Sequence, residues 1–475
     1  MKSYSELMKS YSEFRKEVIN NSNSCIKNTQ EILNKLDKSK ATNYFLEINN
    51  EAIKLSEESD RYYAAGNPRP LEGMLIGVKD NISVKGMKAT CGSKMLANYS
   101  PVYDATVIKR IKDAGGIVIC KTNLDELAMG SSGETSFFGE CKNPYNNEYI
   151  TGGSSSGSAA VVATSLTHTA LGSDTGGSIR LPAAFCGVVG LKPTYGSISR
   201  YGMIPFASSL DQMGTLSVNV DDTALLFDVI SGIDNNDSTT ANILTNNTFD
   251  SINVPLPNKF NVGLLPDNIL KNCKEDVLKI YTKSLEKLKT MGAEFKVLDF
   301  DFIDVCVPSY IVLTTIEASS NLARLDSVRY GHRTDNIDNE EYIYLSRGEG
   351  FGIEVKRRLL LGTYYLTNDY KLNTISKAKK IRKMIQRSIT SAFNDIDIMF
   401  MPTTATTAFK CNERSDDPVS MYLSDFFTTS ANLSGIPAIS IPMGFNENGL
   451  PVGMQIQANN WEEAKLFRYA KKIME

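Results

Sequence analysis

The 475-residue chain has only two histidines, His168 and His332. That excludes the His-rich zinc and di-metal centres, which need several imidazoles. It also leaves a Ser-His-Asp site only two candidates for its base. Cysteine is sparse: of the eight, no two stand closer than 21 positions. Without a CxxC pair there is neither a zinc ribbon nor a thioredoxin-like redox motif, and scattered thiols suit a reducing compartment. No excess of one charge exists, with 51 Lys plus Arg against 54 Asp plus Glu and a net charge of −3. A dedicated nucleic-acid reader carries a basic excess, so any RNA contact falls to a local patch or a partner. No apolar run approaches the roughly 18 residues of a membrane span. The opening MKSYSELMKSYSEFRKEVINN lacks the continuous apolar stretch of a secretory signal. The expectation is a cytoplasmic protein with no membrane contact. Gly-Lys dipeptides are absent, which rules out the GxxxxGK[ST] phosphate loop.

What is present reads as an ordinary globular enzyme, 42% hydrophobic and 22% charged. Residues 1–65 read as a helical segment, with Tyr4, Leu7, Met8, Tyr11 and Val18 near the 3.6-residue period. Met74 to Val78 reads as a strand. Asp104 is placed as the cap of a helix bearing Val107, Ile108 and Ile111, stopped by Gly115-Gly116. Ile117 to Cys120 is a second strand, which completes a βαβ unit. Asp221 opens a further helix. Residues 231–395 read as a mainly helical excursion after a core at 66–230. Returning strands at Ile398 to Met401, Ala438 to Pro442 and Val452 to Gln457 fill 396–475, the last two joined at Asn448-Gly449. One body, residues 1–475, with a shared sheet is expected rather than three domains.

The densest chemistry lies in TGGSSSGSAA (151–160) and LGSDTGGSIR (171–180). A phosphate cradle, a flexible linker and a serine nucleophile compete for it. The phosphate reading lacks its lysine, and a linker would not carry the apolar runs Ala159 to Ala163 and Phe185 to Leu191. The third reading places Ser178 after Gly176-Gly177, whose backbone N–H groups can converge on one point, as an oxyanion hole requires. Its base is the open question. His168 sits among Ala, Thr and Leu with no carboxylate nearby in sequence, and His332 is flanked by cations. A lysine is the next choice. Lys79 ends the strand in L-I-G-V-K-D-N, where α/β sites collect; a snorkelling edge lysine is the competing reading. Asp80 should face the other way, because neighbours on a strand alternate.

The segments GVKDN, GGSSSGSAA and GSDTGGSIRLPAAFCGVVGLKPTYG resemble the amidase signature family. The resemblance implies an α/β fold, with a large mixed, mostly parallel β-sheet layered between helices. It implies a Ser-cisSer-Lys triad of nucleophile Ser178, relay Ser154 and base Lys79, and an oxyanion hole from the backbone of Thr175, Gly176, Gly177 and Ser178. A neutral Lys79 needs its pKa lowered by roughly three units from about 10.4. Within the family, KTNLDELAMGSS (121–132), SSLDQMG (208–214), EASSNLAR (317–324), VKRRLLLGT (355–363) and MYLSDFFT (421–428) are similar to the glutamine-hydrolysing subunits of tRNA-dependent amidotransferases. That similarity implies that Arg358 and Asp425 hold the α-carboxylate and α-ammonium of glutamine. It implies no cofactor or metal in this chain, with ATP and Mg used through a tRNA-binding partner subunit, and a small third subunit in a heterotrimer. The acceptor would be misacylated Glu-tRNA(Gln), with Asp-tRNA(Asn) left open. A stand-alone amidase for another small amide and a non-catalytic scaffold are the alternatives. Three positions depart from the family pattern: Ser156 where glycine is usual, Ser197 for arginine and Thr215 for proline.

Overall fold

The computed structural model describes residues 9–242, 248–300, 302–335, 341–367 and 371–475. Eleven strands form one sheet: β1 (Phe45–Ile48), β2 (Leu75–Lys79), β3 (Ile117–Thr122), β4 (Thr169–Asp174), β5 (Val189–Lys192), β6 (Gln212–Ser217), β7 (Phe260–Leu264), β8 (Ala293–Val297), β9 (Ile398–Pro402), β10 (Ala438–Phe445) and β11 (Pro451–Gln457). Their spatial order is β1-β3-β2-β4-β6-β5-β10-β11-β9-β7-β8. Helices pack on both faces. Ile76 and Val78 of β2 enter one apolar core while Leu75 enters the other, the alternation that a pleated strand imposes. The Ser156–Ala163 helix, SGSAAVVA, is buried all round. Its small side chains let it lie close against the sheet beside β2 and β4.

The sheet is mixed, as expected, but the expected parallel majority is not found. Six of its ten pairings are antiparallel and four parallel. Parallel pairs occur where a helix crosses over, as between β2 and β3 or β7 and β8, because only a long crossover brings the chain back in the same direction. The middle of the sheet, β4-β6-β5-β10-β11-β9, is antiparallel throughout. The β10–β11 hairpin turns where Asn448-Gly449 places it, with Gly449 at φ +74°.

Other boundaries shift. Tyr4, Leu7 and Met8 lie outside the described residues, whereas Tyr11–Ile19 is a helix capped by a Ser10–Glu13 box. The segment expected to be all helix contains β1. The excursion at 231–395 contains β7 and β8, which extend the common sheet at its edge. Asp104 does not cap its helix; Ala105 holds that position, and the Asp104 carboxylate accepts from Lys85 N–H and Lys112 Nζ. Asn219, not Asp221, caps the Val220–Ile230 helix, accepting the Asp222 N–H at 2.7 Å.

Candidate active site

Lys79 closes β2, fully enclosed. Its Nζ donates to Ser154 Oγ at 2.8 Å, Ser155 Oγ at 2.9 Å, Ser173 Oγ at 2.9 Å and Ser173 O at 3.3 Å. All of these partners are hydroxyl or carbonyl oxygens, and none is a carboxylate. Burial therefore dominates, and the ammonium pKa falls to about 7. Asp80 does face away. It accepts from Thr90 N–H at 2.8 Å and pairs with the buried Lys121 at 2.9 Å. Sequence reasoning does not single out Ser155 and Ser173, although both lie inside the two Gly-Ser motifs.

Ser154 follows a cis peptide bond from Gly153. A Cβ on Gly153 would sit 1.8 Å from Asp125 Oδ2, so only glycine fits there. Asp125 also accepts the N–H groups of Gly133 and Thr135, tying the 131–135 loop to the relay serine's turn. Ser178 joins this turn through its backbone: Ser155 N–H donates to Ser178 O at 3.0 Å. The Ser178 hydroxyl is slightly exposed and makes no hydrogen bond among the described residues. Catalytic contacts of this kind tighten when substrate binds.

The nucleophile loop is shaped by Asp174 at the end of β4. Its carboxylate accepts Gly177 N–H at 2.9 Å, Ile179 N–H at 3.2 Å, two Arg180 nitrogens at 2.9–3.0 Å and Asn432 Nδ2 at 2.9 Å. Burial would raise its pKa, but Arg180 and Asn432 hold it down at about 2. This corrects one expectation. The Gly177 amide is turned onto Asp174 and is not free for an oxyanion. The amides of Thr175, Gly176 and Ser178 have no partner among the described residues. Gly177 has φ +142°, and a Cβ there would lie 2.3 Å from Thr428 Oγ1, so glycine is obligatory for the loop.

Arg358 and Asp425, remote in sequence, border one region. Arg358 lines a cavity of about 290 Å³ together with Glu126, Ser131, Ser132, Glu354 and Arg414. Ser131 Oγ donates to Asp425 Oδ2 at 2.8 Å, and Asp425 Oδ1 lies 3.1 Å from where a Gly177 Cβ would stand. Asp425 thus faces the nucleophile loop. Burial raises its pKa to about 7, against the pull of Ser131 and Arg358. Burial also opposes the Arg358 charge, but Glu354, Tyr310 and Tyr422 hold its guanidinium more firmly protonated than usual.

Neither histidine touches this site. His168 is buried against Phe14 with ring centroids 4.8 Å apart, accepts Leu75 N–H at 3.0 Å on Nδ1, and is pushed by burial to about 3. His332 pairs with Glu349 at 3.0 Å. Among the described residues, Glu134, Glu140 and Cys411 bring metal-ligating atoms within 4.8 Å of one another. Lys142 already neutralises Glu140, and burial lifts the Cys411 thiol to about 11, so the group is poorly prepared for a cation.

A mixed sheet with a buried lysine, a cis-linked serine and a glycine-framed serine defines a class, and sequence comparison agrees. The family model described as Amidase matches residues 27–467. The chain belongs to the amidase family. Within it, the relatives that match over most of their length are named as one of the subunits of glutamyl-tRNA(Gln) amidotransferase. That of Brevibacillus brevis is 46% identical over 88% of this chain and 86% of its own. That of Chlorobium phaeobacteroides is 43% identical over 96% of both. The crystal structure of the Thermotoga maritima protein of that name superposes with a TM-score of 0.76 at 36% identity, covering 94% of this chain and 93% of its own. A peptide amidase from Stenotrophomonas maltophilia shares the fold, with a TM-score of 0.83 at 27% identity over 98% and 96% of the two chains. Among the described residues no helix is long and apolar enough to cross a membrane.

Proposed function

We propose that this chain is the glutaminase component of a tRNA-dependent amidotransferase, releasing ammonia from glutamine through a glutamyl-enzyme. The observation that carries the reading is Lys79. It is a fully buried lysine hydrogen-bonded to Ser154 and surrounded only by neutral oxygens, with a pKa near 7. Such a lysine is a competent base at neutral pH. Ser178 Oγ attacks the side-chain amide carbon of glutamine. Its proton passes to Ser154, which gives its own to Lys79. Backbone amides among Thr175, Gly176 and Ser178 receive the oxyanion. As the C–N bond breaks, the lysinium returns a proton through Ser154 to the departing ammonia, and water then hydrolyses the ester. The Arg358 guanidinium takes the substrate α-carboxylate and Asp425 the α-ammonium.

The names of the relatives support a place in a larger assembly. A partner subunit would bind misacylated Glu-tRNA(Gln), activate its carboxylate with ATP and Mg, and receive the ammonia, with a small third subunit completing a cytoplasmic heterotrimer. This chain itself would hold no cofactor. A stand-alone amidase for a neutral amide would need neither Arg358 nor Asp425.

Hydroxylamine trapping tests the nucleophile. Wild-type chain with glutamine should yield the γ-glutamyl hydroxamate, and Ser178→Ala should not. Hydroxamate from Ser178→Ala would overturn the assignment. Lys79→Arg keeps the positive charge but cannot give up its proton, so near-normal glutaminase activity in that variant would remove the lysine base.

A further inference from the structure

Glu354 stands one turn before Arg358 on the Ile353–Tyr365 helix and is largely buried. Its Oε1 accepts two hydrogen bonds, from Arg358 Nε at 2.7 Å and from the Tyr422 hydroxyl at 2.9 Å. Its Oε2 pairs with Arg357 Nη1. The Arg358 guanidinium also lies between two rings, 5.5 Å from the Phe206 centroid and 5.2 Å from that of Tyr422. Two consequences follow. A guanidinium grips a carboxylate through either its Nε edge or its Nη1/Nη2 edge. With Nε held by Glu354, the Nη edge remains, and neither Nη atom has a hydrogen-bond partner among the described residues. Second, Tyr422 ends the Pro418–Tyr422 helix, three residues before Asp425. The Glu354–Tyr422 bond therefore ties the element carrying Arg358 to the element carrying Asp425, across 68 positions of sequence.

In an amino acid the α-carboxylate and α-ammonium hang from one carbon, so a site that reads both must hold its cation and its anion at one separation. We propose that Glu354 is the positioning residue for this recognition: it turns the Nη edge of Arg358 to the substrate and, through Tyr422, sets the spacing between Arg358 and Asp425. The inference rests on the reading of those two residues given above. An exposed i,i+4 pair would stabilise the helix by only about 0.3–0.5 kcal/mol. The tertiary bond to Tyr422 is what gives this pair a role beyond its own helix.

The test compares glutamine with butyramide, which keeps the amide but lacks both α-groups, using the full-length chain. Glu354→Ala should raise KM for glutamine at least tenfold with kcat changed less than about threefold. The preference for glutamine over butyramide in kcat/KM should fall by a similar factor. Glu354→Gln, which retains one acceptor oxygen, should recover part of the loss, and Tyr422→Phe should reproduce part of it. An equal fall for both amides would mean a merely structural role and overturn the proposal. A lowered glutamine KM would make Glu354 a competitor of the substrate and also overturn it. If Glu354→Ala fails to fold, unchanged KM values in both Glu354→Gln and Tyr422→Phe do the same. Arg358→Ala separates the two levels. If it leaves the glutamine KM unchanged, the recognition reading itself falls. If it raises KM while the Glu354 variants do not, only the positioning role falls.

Discussion

Arg180 grips Asp174 through two nitrogens, Nε at 3.0 Å and Nη2 at 2.9 Å, with both side chains fully enclosed. The same carboxylate orients Gly177 and Ile179 around the nucleophile. Removing one member of a buried pair leaves the other charge uncompensated, at about 3–5 kcal/mol. Arg180→Gln should lower the urea midpoint by an amount equivalent to that range with little change in slope. Glutaminase activity should fall at temperatures where the variant is still folded, because the 174–179 loop loses its anchor. Wild-type activity in folded Arg180→Gln would detach this pair from the site.

Two groups near pH 7 should shape the activity profile. Lys79, lowered to about 7 by burial, must be neutral to accept a proton. Asp425, raised to about 7 by burial, must be ionised to pair with an ammonium. Both requirements fail as pH falls. The logarithm of kcat/KM for glutamine should therefore drop with a slope approaching about 2 below pH 6, since kcat/KM reports the free enzyme. With butyramide only Lys79 matters, and the slope should stay near 1. Equal slopes for the two amides would count against the Asp425 role.

Lys79 also bears on stability. Its pKa is about 7 when folded and near 10.4 when unfolded. The folded state binds fewer protons across that window, so stability should rise with pH from about 7 to 10 on this account. Lys79→Met removes the burden of enclosing an ammonium. Thermal unfolding at pH 7 should show the variant at least as stable as wild type, a few degrees higher in Tm, while glutaminase activity is lost. A large drop in Tm would mean that the hydrogen bonds of Lys79 outweigh its desolvation.

His168 gives the opposite limb. Burial lowers its pKa to about 3 from an unfolded value near 6.5. Its contribution is present above pH 6.5 and is lost as pH falls towards 3. His168→Phe leaves the Leu75 N–H without its acceptor, a cost of about 1–3 kcal/mol at neutral pH. Denaturant titrations from pH 7 to 4 should find this variant less stable at pH 7 but flatter towards acid. Its kcat should match wild type; a large loss in the folded variant would return histidine to the chemistry.

The site is legible in the sequence unevenly. Lys79 shows itself as a lysine ending an apolar strand, and Ser154 and Ser178 stand in motifs that carry the family likeness. Asp174 and Arg180 lie inside one of those motifs, yet nothing local says that they face each other or that Gly177 N–H is taken. Asp125, Ser173 and Glu354 give no signal at all. Asp125 acts on backbone atoms 8 to 28 positions away, and Ser173 meets Lys79 across 94 positions. Strand direction escapes the sequence for the same reason. The crossover around residues 104–114 is a local pattern, whereas the antiparallel neighbours β4, β6 and β5 are joined through segments without one.

Composition and motif order alone settled that histidine chemistry is out of reach, that a serine and a lysine are the reactive types, and to which family the chain belongs. These are properties of residue type and spacing. The tertiary structure decided what those residues become. Lys79 is an ordinary lysine until Ser154, Ser155 and Ser173 enclose it without a carboxylate and burial removes water from its ammonium. Arg358 is a surface-type cation until Glu354 and Tyr422 turn it. Protonation and orientation depend on the groups that surround a side chain, and here those groups come from distant parts of the chain.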